Sequence, residues 1–135
     1  MSVGILIITH GQIGQNLLDT ATRVLGFCPV SVKALSVPFD CNPEKKLAQA
    51  SGTVAELETG DGVLVLTDIY GSTPSNIASR LMERRGIQIV SGINLPMLLR
   101  VLNYPELRLE ELVEKAVTGG HDGVRVCPSV AGSEG

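Results

Sequence analysis

The chain has 135 residues, the length of one ordinary globular domain, and 44% of them are hydrophobic, which excludes a largely disordered chain. The net charge is −3 and no segment concentrates Lys or Arg, so the basic face that nucleic-acid binding requires is missing. No apolar run approaches the roughly 20 residues that a helix needs to span a bilayer.

The first half of the chain predicts two buried strands, each followed by a helix. Residues 3–9 form a nearly continuous apolar run, as expected of a strand buried on both faces. Apolar residues at helical spacing then predict a helix over residues 13–25, which Gly26 ends. Residues 30–37 predict a second strand, and the Asn-Pro pair at 42–43 is typical of a helix start.

The second half predicts two further strands and three helices by the same criteria. In chain order these are a strand at 62–67, a helix at 73–85 that ends at Gly86, a strand at 87–93, a short helix at 94–103 and a helix at 109–117. We interpret the segment 119–123, which contains His121 and three glycines, as a turn without a functional role.

The C-terminal part predicts no second domain. Residues 123–127 are a candidate for a short antiparallel edge strand, and residues 131–135 are expected to be a disordered tail or a cloning remnant. Because no linker or repeat interrupts the pattern, we expect one domain over residues 1–130. Three cysteines without a pairing motif predict free thiols and a cytoplasmic protein.

Alternating strands and helices predict an α/β fold with an open, mainly parallel, doubly wound sheet and helices on both faces. In the common strand order the first strand lies beside the third, and ligands bind over the carboxyl ends of these two strands. His10 directly follows the first strand and Asp68 directly follows the third. We therefore expect the two side chains to meet in one crevice.

Such a pair has a definite chemistry. An imidazole near neutral pH has one ring nitrogen with a lone pair, which can attack as a nucleophile when the other nitrogen carries the proton. Asp68 is suited to hold that proton and to stabilise the positive charge that forms on the ring of His10. The sequence thus predicts His10 and Asp68 as the catalytic residues.

The segment that follows Asp68 predicts a phosphate-binding loop. Gly71 permits a tight turn, and Thr73 begins a helix whose first N–H groups can bind an anion, with Ser72 and Thr73 adding hydroxyl groups. Phosphoryl transfer needs mainly positioning and hydrogen-bond donors, so neither a metal ion nor a cofactor is expected. Cys41 and Phe39 lie in the loop after the second strand, which is expected to border the crevice. Phe39 is interpreted as a loop anchor, with docking of a partner as the alternative.

Three motifs carry a resemblance to a known family. They are Ile-Thr-His-Gly at 8–11, Asp-Ile-Tyr-Gly-Ser-Thr-Pro-Ser-Asn-Ile-Ala at 68–78 and Gly-Ile-Asn-Leu-Pro-Met-Leu at 92–98. In this order and spacing they resemble the enzyme IIA component of the mannose family of the phosphoenolpyruvate-dependent sugar phosphotransferase system. One departure is Ser-Thr-Pro-Ser at 72–75, where many members carry Gly-Ser-Pro-Phe.

The resemblance implies a phosphotransferase that takes part in sugar uptake. His10 would accept a phosphoryl group from the phosphocarrier protein HPr at its outer ring nitrogen and donate it to an enzyme IIB partner. Asp68 would hold the inner nitrogen, and Ser72 and Thr73 would contact the phosphoryl oxygens. Members are homodimers that sometimes exchange a C-terminal strand, and they meet the membrane permease only indirectly. No IIB domain follows in this sequence, so a separate acceptor is expected.

Other functions remain open at this point. A regulatory phosphoprotein would use the same His10 but signal by binding a kinase, a transcription regulator or a metabolic enzyme. The phosphoryl donor of a dihydroxyacetone kinase shares the fold and the position of the histidine, although the loop at 71–76 fits the sugar family better. A response-regulator receiver needs two acidic residues where Thr9 and His10 stand, and no nucleotide-binding glycine motif is present.

Overall fold

The computed structural model describes residues 2–27, 29 and 31–128, and a sheet of four parallel strands forms its centre. The strands are β1 (Gly4–His10), β2 (Val32–Val37), β3 (Val63–Thr67) and β4 (Ile87–Ser91). Their order in the sheet is β2-β1-β3-β4, and every neighbouring pair is parallel. β1 therefore lies beside β3, as predicted.

Helices cover both faces of this sheet. They are α1 (Ile13–Leu25), α2 (Pro43–Leu57), α3 (Thr73–Leu81), α4 (Leu95–Leu102) and α5 (Leu109–Asp122). Ile5 and Ile7 of β1 face a core with α1, α4 and α5, whereas Leu6 and Ile8 face a core with α2 and α3. Within the described ranges, no helix combines the length and apolar character needed to cross a membrane. The predicted doubly wound α/β architecture is confirmed.

Helix ends follow the local sequence signals. The side chain of Asn42 accepts hydrogen bonds from the backbone N–H groups of Glu44 (3.0 Å) and Lys45 (3.3 Å), which satisfies donors of the first turn of α2. Gly26 takes a left-handed conformation with φ of 81°, and its N–H donates to the Thr22 carbonyl at 2.9 Å. Both ends were predicted from the residue type alone.

The third helix is shorter than predicted. The expected helix to Arg85 is wrong, because α3 ends at Leu81. Residues 82–86 are exposed and add no side chain to the core beneath α3, so nothing there holds another helical turn against the sheet. The N–H of Met82 donates to the Ser79 carbonyl at 3.2 Å, the tight bond that is common at a helix end.

The last helix is longer than predicted. The interpretation of residues 119–123 as a turn is wrong, because α5 continues to Asp122 and carries His121 on its surface. A Cβ atom on Gly119 would lie only 2.6 Å from the Cβ atom of Arg100. The glycine is thus explained by the close approach of α5 to α4 and not by a turn.

The candidate strand at residues 123–127 does not form in the single chain. Val124 and Val126 are 78% and 95% exposed, so this segment buries little apolar surface that would offset the entropy of ordering it. Among the described residues, no strand pairs with it. The tail expected at residues 131–135 lies outside the described residues.

Candidate functional site

The site lies where β1 and β3 end side by side. Ile8 of β1 pairs with Thr67, the last residue of β3, so the chain after each strand enters the same crevice. His10 is the last residue of β1, and Asp68 directly follows β3. Two residues that are 58 positions apart in the sequence therefore come into contact.

Asp68 holds His10 at two points. Its Oδ2 atom accepts a hydrogen bond from the backbone N–H of His10 at 3.0 Å and lies 2.8 Å from the ring Nδ1 of the same residue. Its Oδ1 atom accepts from the backbone N–H of Ile69 at 2.9 Å. The side chains of His10 and Asp68 are 19% and 9% exposed, so the pair is sheltered but open to solvent on one side.

The carboxyl group of Asp68 favours its ionised form. Burial raises the pKa of this carboxyl, but the backbone and ring hydrogen bonds from His10 and the N–H of Ile69 outweigh burial, so the pKa lies below its ordinary value. An ionised carboxylate only accepts hydrogen bonds, and Nδ1 must therefore carry the proton of the neutral imidazole. Nε2 is left with the lone pair, as a nucleophile requires.

The backbone around His10 is fixed by the turn into α1. Gly11 has φ of 48°, and its N–H donates to the carbonyl of Val37 in β2 at 3.1 Å. The hydroxyl of Thr9 accepts from the N–H of Gly14 in α1 at 2.7 Å. A Cβ atom on Gly14 would lie 2.7 Å from the side chain of Ile7, so α1 begins in direct contact with β1. His10 consequently stands on a rigid strand end.

The loop after β3 contains the predicted phosphate-binding residues. Gly71 has φ of 82°, and its N–H donates to the hydroxyl of Ser75 at 3.2 Å. The hydroxyl of Ser72 donates to the Ile69 carbonyl at 2.6 Å. Thr73 is exposed as the first residue of α3. The hydrogen-bond donors of Gly71 and Ser72 are thus used inside the loop, and an anion would have to replace those bonds.

Phe39 contacts the ring of His10, a pairing that the sequence interpretation did not predict. Its ring is stacked on the imidazole of His10, with 5.2 Å between the ring centroids and 26° between the planes. The side chain is 91% exposed, so the interpretation of Phe39 as a loop anchor is wrong. The signal lay in the strand pairing: His10 pairs with Val37, and Phe39 comes two residues later.

The family follows from a comparison with known proteins. Residues 4–117 match the family model described as the PTS system fructose IIA component. The chain belongs to the mannose family of enzyme IIA components. PTS stands for the sugar phosphotransferase system. The sequence motifs at 8–11, 68–78 and 92–98 lie within the matched segment.

Individual relatives agree with this enzyme IIA assignment. The chain is 34% identical over 128 residues to the mannose-specific EIIAB component of Escherichia coli K12. The aligned segment covers 93% of the chain but only 39% of that protein. It is 29% identical to the fructose-specific EIIA component of Bacillus subtilis, over 93% of the chain and 86% of that protein. The mannose/sorbose-specific IIA subunit of Enterococcus faecalis has the same fold, with a TM-score of 0.86 at 21% identity over 96% of this chain and 97% of that one.

Proposed function

We propose that this enzyme IIA chain is a phosphocarrier that accepts a phosphoryl group from HPr on Nε2 of His10 and passes it to an enzyme IIB partner during sugar uptake. The observation that carries the proposal is the 2.8 Å contact between Nδ1 of His10 and Asp68. It commits one ring nitrogen to the carboxylate and leaves the other for phosphorus. Family membership supports the same role.

The transfer conserves atoms and charge in a simple way. The lone pair of Nε2 forms a bond to phosphorus while the N–P bond of the donor breaks, and that electron pair returns to the donor's imidazole. The ring of His10 becomes cationic because it keeps the proton on Nδ1, and the carboxylate of Asp68 stabilises that charge. Transfer to the acceptor's histidine repeats the step in reverse. The protein's contribution is positioning and electrostatics.

The phosphoryl oxygens need donors, and the start of α3 can provide them. The first N–H groups of a helix have no carbonyl partner within the helix, and the helix dipole favours an anion there. We assign the hydroxyl groups of Ser72 and Thr73 to the phosphoryl oxygens beside this helix start, together with the N–H of Gly71, which would give up its 3.2 Å bond to the Ser75 hydroxyl. Ser72 would turn its hydroxyl from the Ile69 carbonyl to the phosphoryl group, which is a rotation about one bond.

Partner binding is assigned to the exposed apolar side chains beside the site. Ile69 and Tyr70 follow Asp68 directly and are 60% and 88% exposed. Exposed apolar groups with a polar surround are typical of protein interfaces. We assign the chain to the cytoplasm, where HPr and enzyme IIB would meet it, and to a homodimer in which the exposed segment 123–127 pairs with a second copy.

The decisive experiment labels the chain with phosphate. Phosphoenolpyruvate, enzyme I and HPr are supplied, and the acid-labile phosphate on the chain is quantified and mapped. His10→Ala is expected to abolish labelling, because no other residue at the site offers the same nucleophile. His121→Ala is the matched control, since His121 is 89% exposed and also lies beside an aspartate, with 3.7 Å between Nδ1 and Asp122. It should label like the wild type.

Two results would contradict the proposal. Labelling of His10→Ala at the wild-type level would move the phosphate to another residue. An absence of labelling in the wild type, with HPr shown to be phosphorylated in the same tube, would remove the phosphocarrier role altogether. Thermal unfolding of each variant shows whether a loss of label comes from a loss of the fold.

A regulatory role is the second candidate, and one comparison favours it. The chain is 31% identical over 118 residues to the transcriptional regulatory protein LevR of Bacillus subtilis, of which it covers 12%. In that role the phosphoryl group would remain on His10 as a signal. Rapid loss of the label on addition of an enzyme IIB favours the carrier role, whereas a stable label that changes the binding of another protein favours regulation.

A further inference from the structure

Phe39 is an exposed aromatic residue whose ring is stacked on the imidazole of His10. Its ring centroid lies 5.2 Å from that of His10, and the two planes form an angle of 26°. With 91% of its surface exposed, the side chain adds almost nothing to the core. A large apolar group held in water at this point calls for an explanation in terms of the site.

The backbone brings Phe39 to this position. Val37, the last residue of β2, pairs with His10, and its carbonyl accepts a hydrogen bond from the N–H of Gly11. The end of β2 therefore lies directly beside His10. The N–H of Cys41 donates to the carbonyl of Pro38 at 3.2 Å and closes a turn around Phe39. The loop is therefore shaped to direct this ring back over the end of β1.

We propose that Phe39 is a positioning residue that holds the imidazole of His10 against Asp68 and stabilises the cationic phosphorylated ring. The inference rests on the proposed function, because it concerns the same transfer. Phe39 does not touch the phosphoryl group and acts only through His10. Its role is to shift the balance of phosphate between HPr and this chain.

The physical basis is the electron distribution of the phenyl ring. Its face carries partial negative charge, so a stacked cation is favoured over a stacked neutral ring. An imidazole with its proton on Nδ1 is neutral, and it becomes a cation when Nε2 also bonds to phosphorus. Phe39 and the carboxylate of Asp68 then act on the same charge from two directions: Asp68 in the ring plane at Nδ1, and Phe39 from the ring face.

An ordinary docking contact would behave differently. A side chain that only touches HPr or enzyme IIB changes the rates of transfer in both directions by the same factor. It leaves the equilibrium constant unchanged, since the partners are separate proteins before and after the reaction. A side chain that stabilises the phosphorylated ring changes the equilibrium constant itself. This difference separates the two roles without any assumption about the docking geometry.

The test measures the equilibrium between phosphorylated HPr and this chain at about pH 8. Phe39→Leu removes the aromatic face and keeps an apolar side chain, and it should shift the equilibrium about two- to fivefold towards phosphorylated HPr. Phe39→Tyr keeps the face and should restore the wild-type value. Tyr70→Leu is the matched control, because Tyr70 is 88% exposed beside Asp68 and is expected to alter rates only.

A second measurement does not depend on phosphorylation. A stacked phenyl ring shifts the NMR signals of the ring protons of His10 upfield, and Phe39→Leu should return them downfield while Tyr70→Leu leaves them in place. If wild type takes no phosphoryl group from HPr, the proposed function fails, and with it the effect on the equilibrium. The NMR shifts then still decide whether Phe39 positions the imidazole.

The inference is overturned by either of two results. One is an unchanged equilibrium constant in Phe39→Leu together with altered rates, which would make Phe39 a docking residue. The other is a set of His10 ring-proton shifts that does not respond to Phe39→Leu, which would show that the rings do not stack in solution.

Discussion

Replacing Asp68 with asparagine removes the negative charge beside His10 and keeps the size and shape of the side chain. The amide oxygen of Asp68→Asn can still accept the backbone N–H of His10, which lies 3.0 Å from Oδ2 in the wild type. The charged contact with Nδ1 at 2.8 Å is lost. With its oxygen facing His10, the asparagine places its NH2 group where Oδ1 accepted the N–H of Ile69 at 2.9 Å, so that one donor loses its acceptor. Asp68→Ala removes the acceptors of both backbone N–H groups, so Asp68→Asn tests electrostatics at the ring more directly.

The magnitude follows from the geometry. The imidazole becomes cationic as the bond to phosphorus forms, and the carboxylate at 2.8 Å is only 9% exposed, so water screens the pair weakly. A hydrogen bond to a charged group is worth about 1.5–3 kcal/mol. Because about 1.4 kcal/mol corresponds to a tenfold change in rate, transfer should slow by about 10- to 150-fold.

The assay mixes radiolabelled phosphorylated HPr with the chain and stops the reaction at millisecond intervals. Asp122→Asn is a matched control, because it alters the second histidine–aspartate pair, which is exposed on α5. Its rate should equal that of the wild type. A rate for Asp68→Asn within a factor of two of the wild type, with His10 still the labelled residue, would show that the carboxylate does not stabilise the reacting ring.

Two stability predictions follow from other parts of the structure. Folding lowers the pKa of Asp68, so its contribution to the free energy of unfolding is complete above the ordinary pKa of about 4 and is lost as the pH falls through the folded-state pKa. Urea unfolding should therefore show that the difference in free energy of unfolding between wild type and Asp68→Asn becomes smaller towards low pH. A difference that stays constant with pH would contradict this. Gly119→Ala should lower the free energy of unfolding by about 1–3 kcal/mol, because its Cβ atom would lie 2.6 Å from that of Arg100. Gly52→Ala, whose Cβ atom would meet no atom within 4 Å, should raise the free energy of unfolding by about 0.5–1 kcal/mol. A change of the same sign in both variants would refute the packing argument.

The sheet could be predicted because its strands are encoded locally and their order follows from general rules. Apolar runs marked the four strands, and right-handed crossovers with short connections favoured the order that puts β1 beside β3. The meeting of His10 and Asp68 follows from that order, since each residue stands at the carboxyl end of its strand. The geometry of the pair was thus accessible from the sequence.

The parts that could not be predicted depend on contacts between distant segments. The segment 119–123 has the composition of a turn. Only the packing of α5 on α4 shows why the helix needs a glycine at position 119. The end of α3 at Leu81 reflects the absence of core contacts beyond that residue, which helical spacing alone does not report. The stacking of Phe39 on the imidazole of His10 depends on the pairing of β2 with β1, which the sequence neighbours of Phe39 do not reveal.

The two-point hold on His10 also constrains the order of events in a relay. Backbone and ring converge on one oxygen of Asp68, so the histidine cannot swing from one partner to another. If His10 carries the phosphoryl group as proposed, donor and acceptor must reach Nε2 from the same side and bind overlapping surfaces of this chain. The donor must then dissociate before the acceptor binds, which gives double-displacement kinetics. An excess of unphosphorylated HPr would slow transfer to enzyme IIB by competing for the shared binding surface.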